Sequence, residues 1–372
     1  MNDLDYFISK KDEMLNAIGE LVKRETFSQD KGNLDEFSTF LQGMVYDRLK
    51  LKPEIMESEK FGNILIYTIN PEAKEQVLVL CHYDTVFPSG TLQKNPFSIN
   101  NEIATGPGIF DMKSGIIFAL YAIGHFVKYG NNNKKIVIMF TADEEIGSRF
   151  SRKFIEEQAA KSKYAIVLES SLGGKIKTER RGVMGVHVDV AGRSAHAGLD
   201  PEKGINAIYE ATNIVENLRK MSEEMKGEAL ISVGKIGGGT ASNVVPDNCF
   251  IDVDVRFGKD ESCKKIIERL KSIKPLNSES KINITHSIRE AMPRTAETAA
   301  LFGELKKRVL KLDVNLEETS VSGASDGNIC ARFCPVLDGM GAFGNGAHSL
   351  KEYIDIDQIP LRTVIVYYAL DL

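Results

Sequence analysis

The side chains best suited to chemistry in this chain are histidines and carboxylates, and they stand at the ends of apolar runs. Val77-Leu78-Val79-Leu80-Cys81 leads directly into His82-Tyr83-Asp84. A continuous apolar run of this kind suits a strand buried on both faces of a parallel sheet, and active sites in open α/β sheets gather at the carboxyl ends of the strands. His82 then stands where the strand leaves the sheet, and Asp84 is placed to accept the second imidazole N–H and orient the ring. The apolar run Lys134 to Thr141 ends in Asp143-Glu144-Glu145, and Tyr164 to Leu168 ends in Glu169. A glycine-rich loop from Gly106 to Gly115 carries Asp111, and Gly344-Asn345-Gly346-Ala347-His348 brings a second histidine from far along the chain. Imidazole nitrogens with carboxylate oxygens and no thiolate suit Zn²⁺, Mn²⁺ or Co²⁺ in a hydrolytic site. Two histidines and three carboxylates suffice for two metals if one carboxylate bridges. Such a pair, about 3.5–4 Å apart, lowers the pKa of a bound water from about 15.7 toward 7. Because Glu144 and Glu145 are adjacent, one can be committed to a metal while the other takes a proton from water.

The elements that must position these residues imply a chain of about two domains, given its 372 residues. A hydrophobic content of 42% and a charged content of 27% are those of an ordinary globular protein. The net charge of -5 and pI near 5.8 argue against a nucleic-acid partner. The N-terminus lacks the basic and apolar regions of a secretory leader, and no stretch approaches about 18 consecutive apolar residues, so no membrane partner is expected. Cysteines at 81, 249, 263, 330 and 334 are odd in number and without a Cys-x-x-Cys pair, which fits reduced thiols and a cytoplasmic setting.

Helical periodicity covers the first forty-odd residues, Gly62 to Tyr67 alternates as a strand, and Ile116 to Phe126 reads as a buried helix behind the glycine-rich loop. From Val183 the pattern changes to strand Val183 to Val190, helix Asn206 to Met221, strands Ala229 to Ile236 and Cys249 to Phe257, helix Cys263 to Ile273 and strand Ile282 to Ser287. This β-α-β-β-α-β order is the ferredoxin-like arrangement. The expected organisation is a discontinuous α/β catalytic domain, residues 1–181 and 291–372, with helices on both faces of a mixed sheet. An α+β domain, residues 182–290, is inserted in it. Helices from Thr298 to Leu310 and from about Ile359 to Ala369 close the first domain, with Val336 to Phe343 running into the His348 segment.

Taken together and in order, His82-x-Asp84-Thr85-Val86, Gly106-Pro107-Gly108-x-x-Asp111-Met112-Lys113-x-Gly115, Asp143-Glu144-Glu145-x-Gly147-Ser148, Glu169-Ser170 and His348-Ser349 resemble the M20 family of co-catalytic zinc peptidases. Asp84-Thr85-Val86-Phe87, Asn95-Pro96-Phe97 and Gly106-Pro107-Gly108 are similar to its glutamate carboxypeptidase subgroup. The likeness covers essentially the whole chain. It implies a phosphorylase/hydrolase-like catalytic domain with two Zn²⁺ per subunit, Co²⁺ or Mn²⁺ being alternatives. His82 and Glu169 would bind one metal, Glu145 and His348 the other, and Asp111 both. Glu144 would be the general base and Asp84 the orienter of His82; in that family the peptide after the bridging aspartate is cis, which the sequence leaves open for Asp111-Met112 and the surrounding glycines would tolerate. The insert would serve as the dimerisation and lid domain of a homodimer.

Within the insert, Ser194-Ala195-His196-Ala197-Gly198 resembles the segment whose histidine reaches the partner subunit's active site in this family. Asn243 and Arg256 match positions that hold substrate amide and carboxylate groups, and Arg289 is a candidate for a side-chain carboxylate. Ser322 and Gly323, in the turn before Asp326, complete the expected substrate-binding set. Ala324 departs from the threonine often found before that acid, and one substrate hydrogen bond goes with it. His125, His187 and His286 read as structural, and Cys81, pointing away from His82 by strand alternation, as packing.

The expected activity is that of a carboxypeptidase acting on a small peptide or N-acyl amino acid and releasing a C-terminal residue, with glutamate the first candidate. A glutamate at 169, where aminotripeptidases of the family carry aspartate, favours carboxypeptidase or deacylase chemistry. An aminoacylase, an N-acyl-diamino-acid deacylase of the desuccinylase or deacetylase type, and a tripeptidase use the same centre. A binding homologue without catalysis is the reading from another class; the complete ligand set and Glu144 weigh against it.

Overall fold

The computed structural model describes residues 2–130 and 133–372. The chain forms two compact units, one of Met1–Glu179, Arg294–Ser320 and Ser325–Leu372, the other of Arg180–Pro293 and Val321–Ala324.

In the larger unit a six-stranded mixed sheet runs in the order Glu54–Met56, Ile64–Ile69, Lys134–Thr141, Glu75–His82, Ser162–Val167, Val336–Leu337. The four strands from Lys134–Thr141 onward are parallel, and the first two pair antiparallel at one edge. The central strand Glu75–His82 is buried at every residue after the first, as its unbroken apolar run demands. Val77, Val79 and Cys81 join Ile136, Ile138 and Phe140 in the main core, beneath the helix Ser114–Tyr129. Leu78 and Leu80 are buried outside that core. The helices Arg152–Ala159 and Asp326–Cys330 pack against the neighbouring strand Ser162–Val167. The span Ile109–Tyr129 is long and apolar enough to cross a membrane by length and composition, but here it is the buried central helix of the unit.

A second, smaller sheet was not visible in the sequence pattern. Gly344–Asn345, Tyr353–Asp355, Ile103–Thr105 and Ser98–Asn100 pair antiparallel in that order. The apolar stretch Val336 to Phe343 is a strand only over Val336–Leu337. The strands of the small sheet are two or three residues long, too short for a period-two signal.

The smaller unit is a four-stranded antiparallel sheet in the order Ala229–Gly238, Asn248–Phe257, Gly182–Ala191, Lys281–Arg289. Helices Ala207–Glu224 and Asp260–Ser272 complete its β-α-β-β-α-β order. Burial alternates strictly along Gly182–Ala191. Met184, Val186, Val188 and Val190 meet Ile214, Leu218, Ile266 and Leu270, leaving the opposite sheet face uncovered within this unit.

Candidate metal centre

Two imidazole–carboxylate sets meet at Asp111. His82 Nε2 lies 3.3 Å from Asp111 Oδ1 and 3.3 Å from Glu169 Oε1. His348 Nε2 lies 3.4 Å from Asp111 Oδ2 and 3.1 Å from Glu145 Oε2. Each oxygen of Asp111 thus faces a different histidine. Ligand atoms held about 2.0–2.2 Å from a tetrahedral cation are themselves about 3.3–3.6 Å apart, close to these separations. His82 Nε2 and Asp111 Oδ1 are buried and make no hydrogen bond. Buried polar atoms are rarely left so, and a shared cation would satisfy both. The donor set therefore fits a pair of divalent metals.

The geometry of His82 follows from its neighbour. Nδ1 lies 3.1 Å from the Asp84 backbone carbonyl and 3.4 Å from Asp84 Oδ1. A carbonyl can only accept, so Nδ1 carries a hydrogen, which leaves Nε2, facing Asp111 and Glu169, as the nitrogen a cation would take. The orienting atom with hydrogen-bond geometry is the main-chain oxygen, which differs from the carboxylate expected from the sequence. The Asp84 carboxylate accepts instead from the N–H groups of Glu144 and Glu145, each at 3.2 Å, and from Ser28 Oγ at 2.7 Å. It fastens the Glu144–Glu145 turn to the end of the His82 strand.

That turn is held from below as well. Asp143 Oδ2 accepts from Phe150 N–H at 2.6 Å and Ser151 N–H at 3.2 Å. Gly147 sits at φ 95°, where a side chain would be strained. Glu144 is 8% exposed, and its carboxylate lies within 4.8 Å of ligand atoms of His82 and Glu169, which form one group just as His82, Asp111 and Glu145 form another. Asp326 is buried, and its oxygens accept from Ser148 and Thr141. It supports the same turn.

Asp111 rides on the turn Ile109–Lys113, and its peptide bond to Met112 is cis. Gly108 precedes it at φ 74°, where a Cβ would come within 2.6 Å of Thr85 Cγ2. The N–H groups of Gly108, Phe110 and Asp111 all donate to the carboxylate of Glu352, at 3.0, 2.7 and 2.7 Å. Sequence reasoning passed over Glu352, because an acid at the start of a short strand looks like an ordinary solvated residue. Burial raises Glu352, and the three N–H donors oppose that shift by favouring the ionised form. Lys113, also buried, donates to the Arg24 carbonyl at 2.6 Å and is brought down to about 7 by loss of water.

The electrostatics are those of a centre built around positive charge. Burial favours neutral His82, but Asp111, Asp84 and Glu169 outweigh it and hold the imidazole well above its usual range. His348, whose side chain is 55% exposed, is raised to about 11 by Asp111 and Glu145. Burial raises Asp111, yet His348 and His82 overcome this and keep it ionised well below the usual carboxylate range. Glu145 is raised, by burial first and then by the charges of Asp111 and Asp84. Without metal, protons on the two histidines do the neutralising.

The insert's candidates are arranged differently. His196 is exposed, and its Nδ1 accepts from Gly198 N–H at 3.1 Å. Asn243 is also exposed, and its carbonyl accepts from Ala197 N–H at 3.0 Å, placing it beside the His196 segment. Arg256 and Arg289 both stand in register with Val183, one on each flanking strand, so the three share a row. Arg256 donates to Asp254 at 2.8 Å and to the Ser322 carbonyl at 3.3 Å, while the Gly323 carbonyl accepts from Arg180 at 3.0 Å. Elsewhere, His187 is held between Asp252 and Asp189, and His125 pairs with Asp3 among Tyr6, Phe7, Tyr129 and Tyr367. His286 is exposed on its strand. The five cysteines are free and buried.

This α/β unit, with paired imidazole–carboxylate sets at its strand ends, belongs to the class of metal-dependent hydrolases. A family profile described as a peptidase dimerisation domain matches residues 178–274, and one described as peptidase family M28 matches residues 64–194. Carboxypeptidase G2 of Pseudomonas sp. (strain RS-16) is 30% identical over 94% of this chain and 86% of its own length. Succinyl-diaminopimelate desuccinylase of Polynucleobacter necessarius subsp. necessarius (strain STIR1) is 26% identical over 78% of this chain and 80% of its own. The crystal structure of aminopeptidase PepT from Bacillus cereus ATCC 10987 shares the fold, with a TM-score of 0.78 at 20% identity over 97% of this chain and 98% of that one. The chain belongs to the M20 family of metallopeptidases.

Proposed function

We propose that this protein is a dinuclear metallo-carboxypeptidase that releases a C-terminal amino acid, glutamate first among candidates, from a peptide or N-acyl amino acid. His82 and Glu169 would hold one Zn²⁺, Glu145 and His348 the other, and Asp111 both. The observation that supports this most is the division of Asp111, one oxygen toward each histidine, at 3.3 and 3.4 Å. Bound there, divalent metals supply Lewis acidity to the scissile carbonyl and make a water acidic enough to attack at neutral pH. Glu145 is committed to His348, which leaves its neighbour Glu144 to take the proton of the attacking water and return it to the leaving amine.

Substrate recognition falls to the insert. Arg256 and Arg289 stand in one row with Val183, and their guanidiniums would pair with carboxylates, as a glutamate with a free C-terminus requires. The match of residues 178–274 to a peptidase dimerisation domain supports a homodimer formed through 182–290, with His196 serving the partner subunit's reaction. Five unpaired thiols fit a cytoplasmic setting.

The likeness to a desuccinylase favours a second reading, removal of an acyl group from a diamino acid by the same centre. A panel of C-terminal glutamyl peptides, N-acyl glutamates, N-succinyl diamino acids and tripeptides, assayed with Zn²⁺, Co²⁺ and Mn²⁺, separates the two. The carboxypeptidase reading expects the highest kcat/KM on glutamyl termini; a preference for succinyl diamino acids would replace it with the second.

A further inference from the structure

We infer that Glu352 is a positioning residue for the metal centre, locking the loop that carries Asp111 to the segment that carries His348. The inference rests on reading Asp111, His348, Glu145, His82 and Glu169 as cation ligands.

Glu352 is 0% exposed, a condition glutamate rarely tolerates unless its charge is matched. Here the match is three main-chain N–H groups, those of Gly108, Phe110 and Asp111. The turn that supplies them is not regular helix: Asp111 lies at φ -119°, ψ 95° and Met112 at φ -131°, ψ 30°. A carboxylate is the group that can answer all three donors, because both of its oxygens accept and neither carries hydrogen.

The other end of the link is as short. His348 sits at φ 62° in a turn closed by the bonds Ser349 N–H to Gly346 carbonyl, 3.0 Å, and Glu352 N–H to Ser349 carbonyl, 3.1 Å. Immediately after Glu352, the strand Tyr353–Asp355 pairs with Ile103–Thr105, which runs into the Asp111 loop. Glu352 therefore joins two segments far apart in sequence, each bearing a ligand.

The consequence is unequal for the two sets. In the set of Asp111 Oδ2, His348 and Glu145, two of the three ligands stand on the segments Glu352 joins. In the set of Asp111 Oδ1, His82 and Glu169, only Asp111 does, since the others follow strands of the main sheet. Losing the Glu352 carboxylate should weaken the His348 site more than the His82 site.

Glu210 of the insert provides a matched control. It is 3% exposed, and its carboxylate accepts from the N–H groups of Leu276 and Asn277, each at 2.7 Å, in a segment that carries no ligand. The test uses chelator-treated full-length wild type, E352Q, E352D and E210Q, titrated with Co²⁺ and followed by visible absorption and equilibrium dialysis. Wild type is expected to take up two Co²⁺. E352Q should bind the first with near wild-type affinity and the second about 10–100-fold more weakly. E352D, which keeps the charge on a shorter arm, should fall between, and it carries the test with the same expectation if E352Q does not fold. E210Q should lower the Tm and leave both Co²⁺ affinities unchanged. Two wild-type affinities in the Glu352 variants, or an equal loss in E210Q, would overturn the inference and leave the metal-centre reading standing. A wild-type protein that bound no Co²⁺ would overturn both.

Discussion

The two units treat charge in opposite ways. In the larger one, His82, Asp84, Glu144 and Glu169 are packed almost wholly out of water, with Asp111 and Glu145 beside them. Removing that many charges from water is costly unless they are matched, so such a cluster persists where a counter-charge belongs. In the insert, His196 and Asn243 are exposed, and Arg256 engages Asp254 and the Ser322 carbonyl on the open sheet face. The first arrangement fixes its groups in one geometry; the second leaves exposed the groups for which we propose a role in recognition.

Three substitutions and a pH titration test that contrast. The largest effect is expected from Glu144→Gln, which should retain both metals by elemental analysis and lower kcat about 10²–10⁴-fold. An active variant would remove Glu144 from its role. Next, His196→Ala should lower kcat about 10²–10³-fold, as loss of one oxyanion-stabilising group does. Mixing it with Glu144→Gln subunits should restore part of the activity through mixed dimers, whereas a mixture that stays inactive would argue that His196 does not act in trans. Arg289→Ala should raise KM about tenfold or more for glutamyl termini, since a hydrogen bond to a charged group contributes about 1.5–3 kcal/mol. The same variant should barely alter KM for alanyl termini; equal losses on both would separate Arg289 from side-chain recognition.

The most graded effect concerns pH. In the metal-free protein His348 is held protonated up to about 11, against an ordinary value of 6.5. A group raised in this way stabilises the metal-free fold fully below about 6.5, and the contribution disappears as pH rises through its folded pKa. Metal must displace the proton, so metal affinity runs the other way and should rise about tenfold per pH unit for each proton released between pH 6.5 and 9. Calorimetry in buffers of different ionisation heat counts those protons. An affinity flat with pH would mean that metal binding displaces no histidine proton.

Much of this was legible in the sequence because it depends on local pattern. An unbroken apolar run such as Val77 to Cys81 has one good home, the middle of a parallel sheet, and the residue after it is then placed without knowledge of the rest of the fold. The insert's alternation of strand and helix periods was equally direct. What escaped notice depends on contacts between distant segments. Glu352 meets the Asp111 loop across more than two hundred positions, with Gly108 at a separation of 244. Ser28 reaches Asp84 across 56. Asp326 accepts from Thr141 and Ser148 beneath the Glu144 turn, across 185 and 178 positions. In each case an acid or hydroxyl of ordinary appearance acquires its role from a distant hydrogen-bond partner that no spacing rule supplies.

The most direct test of the account is the number of metals bound. Chelator-treated protein dialysed against excess Zn²⁺ and measured by elemental analysis should hold two per chain and regain activity, and Asp111→Ala, which removes the oxygen facing each histidine, should hold close to none. A wild-type protein that hydrolyses its substrate with one metal or none, or an Asp111→Ala variant that still holds two, would contradict it.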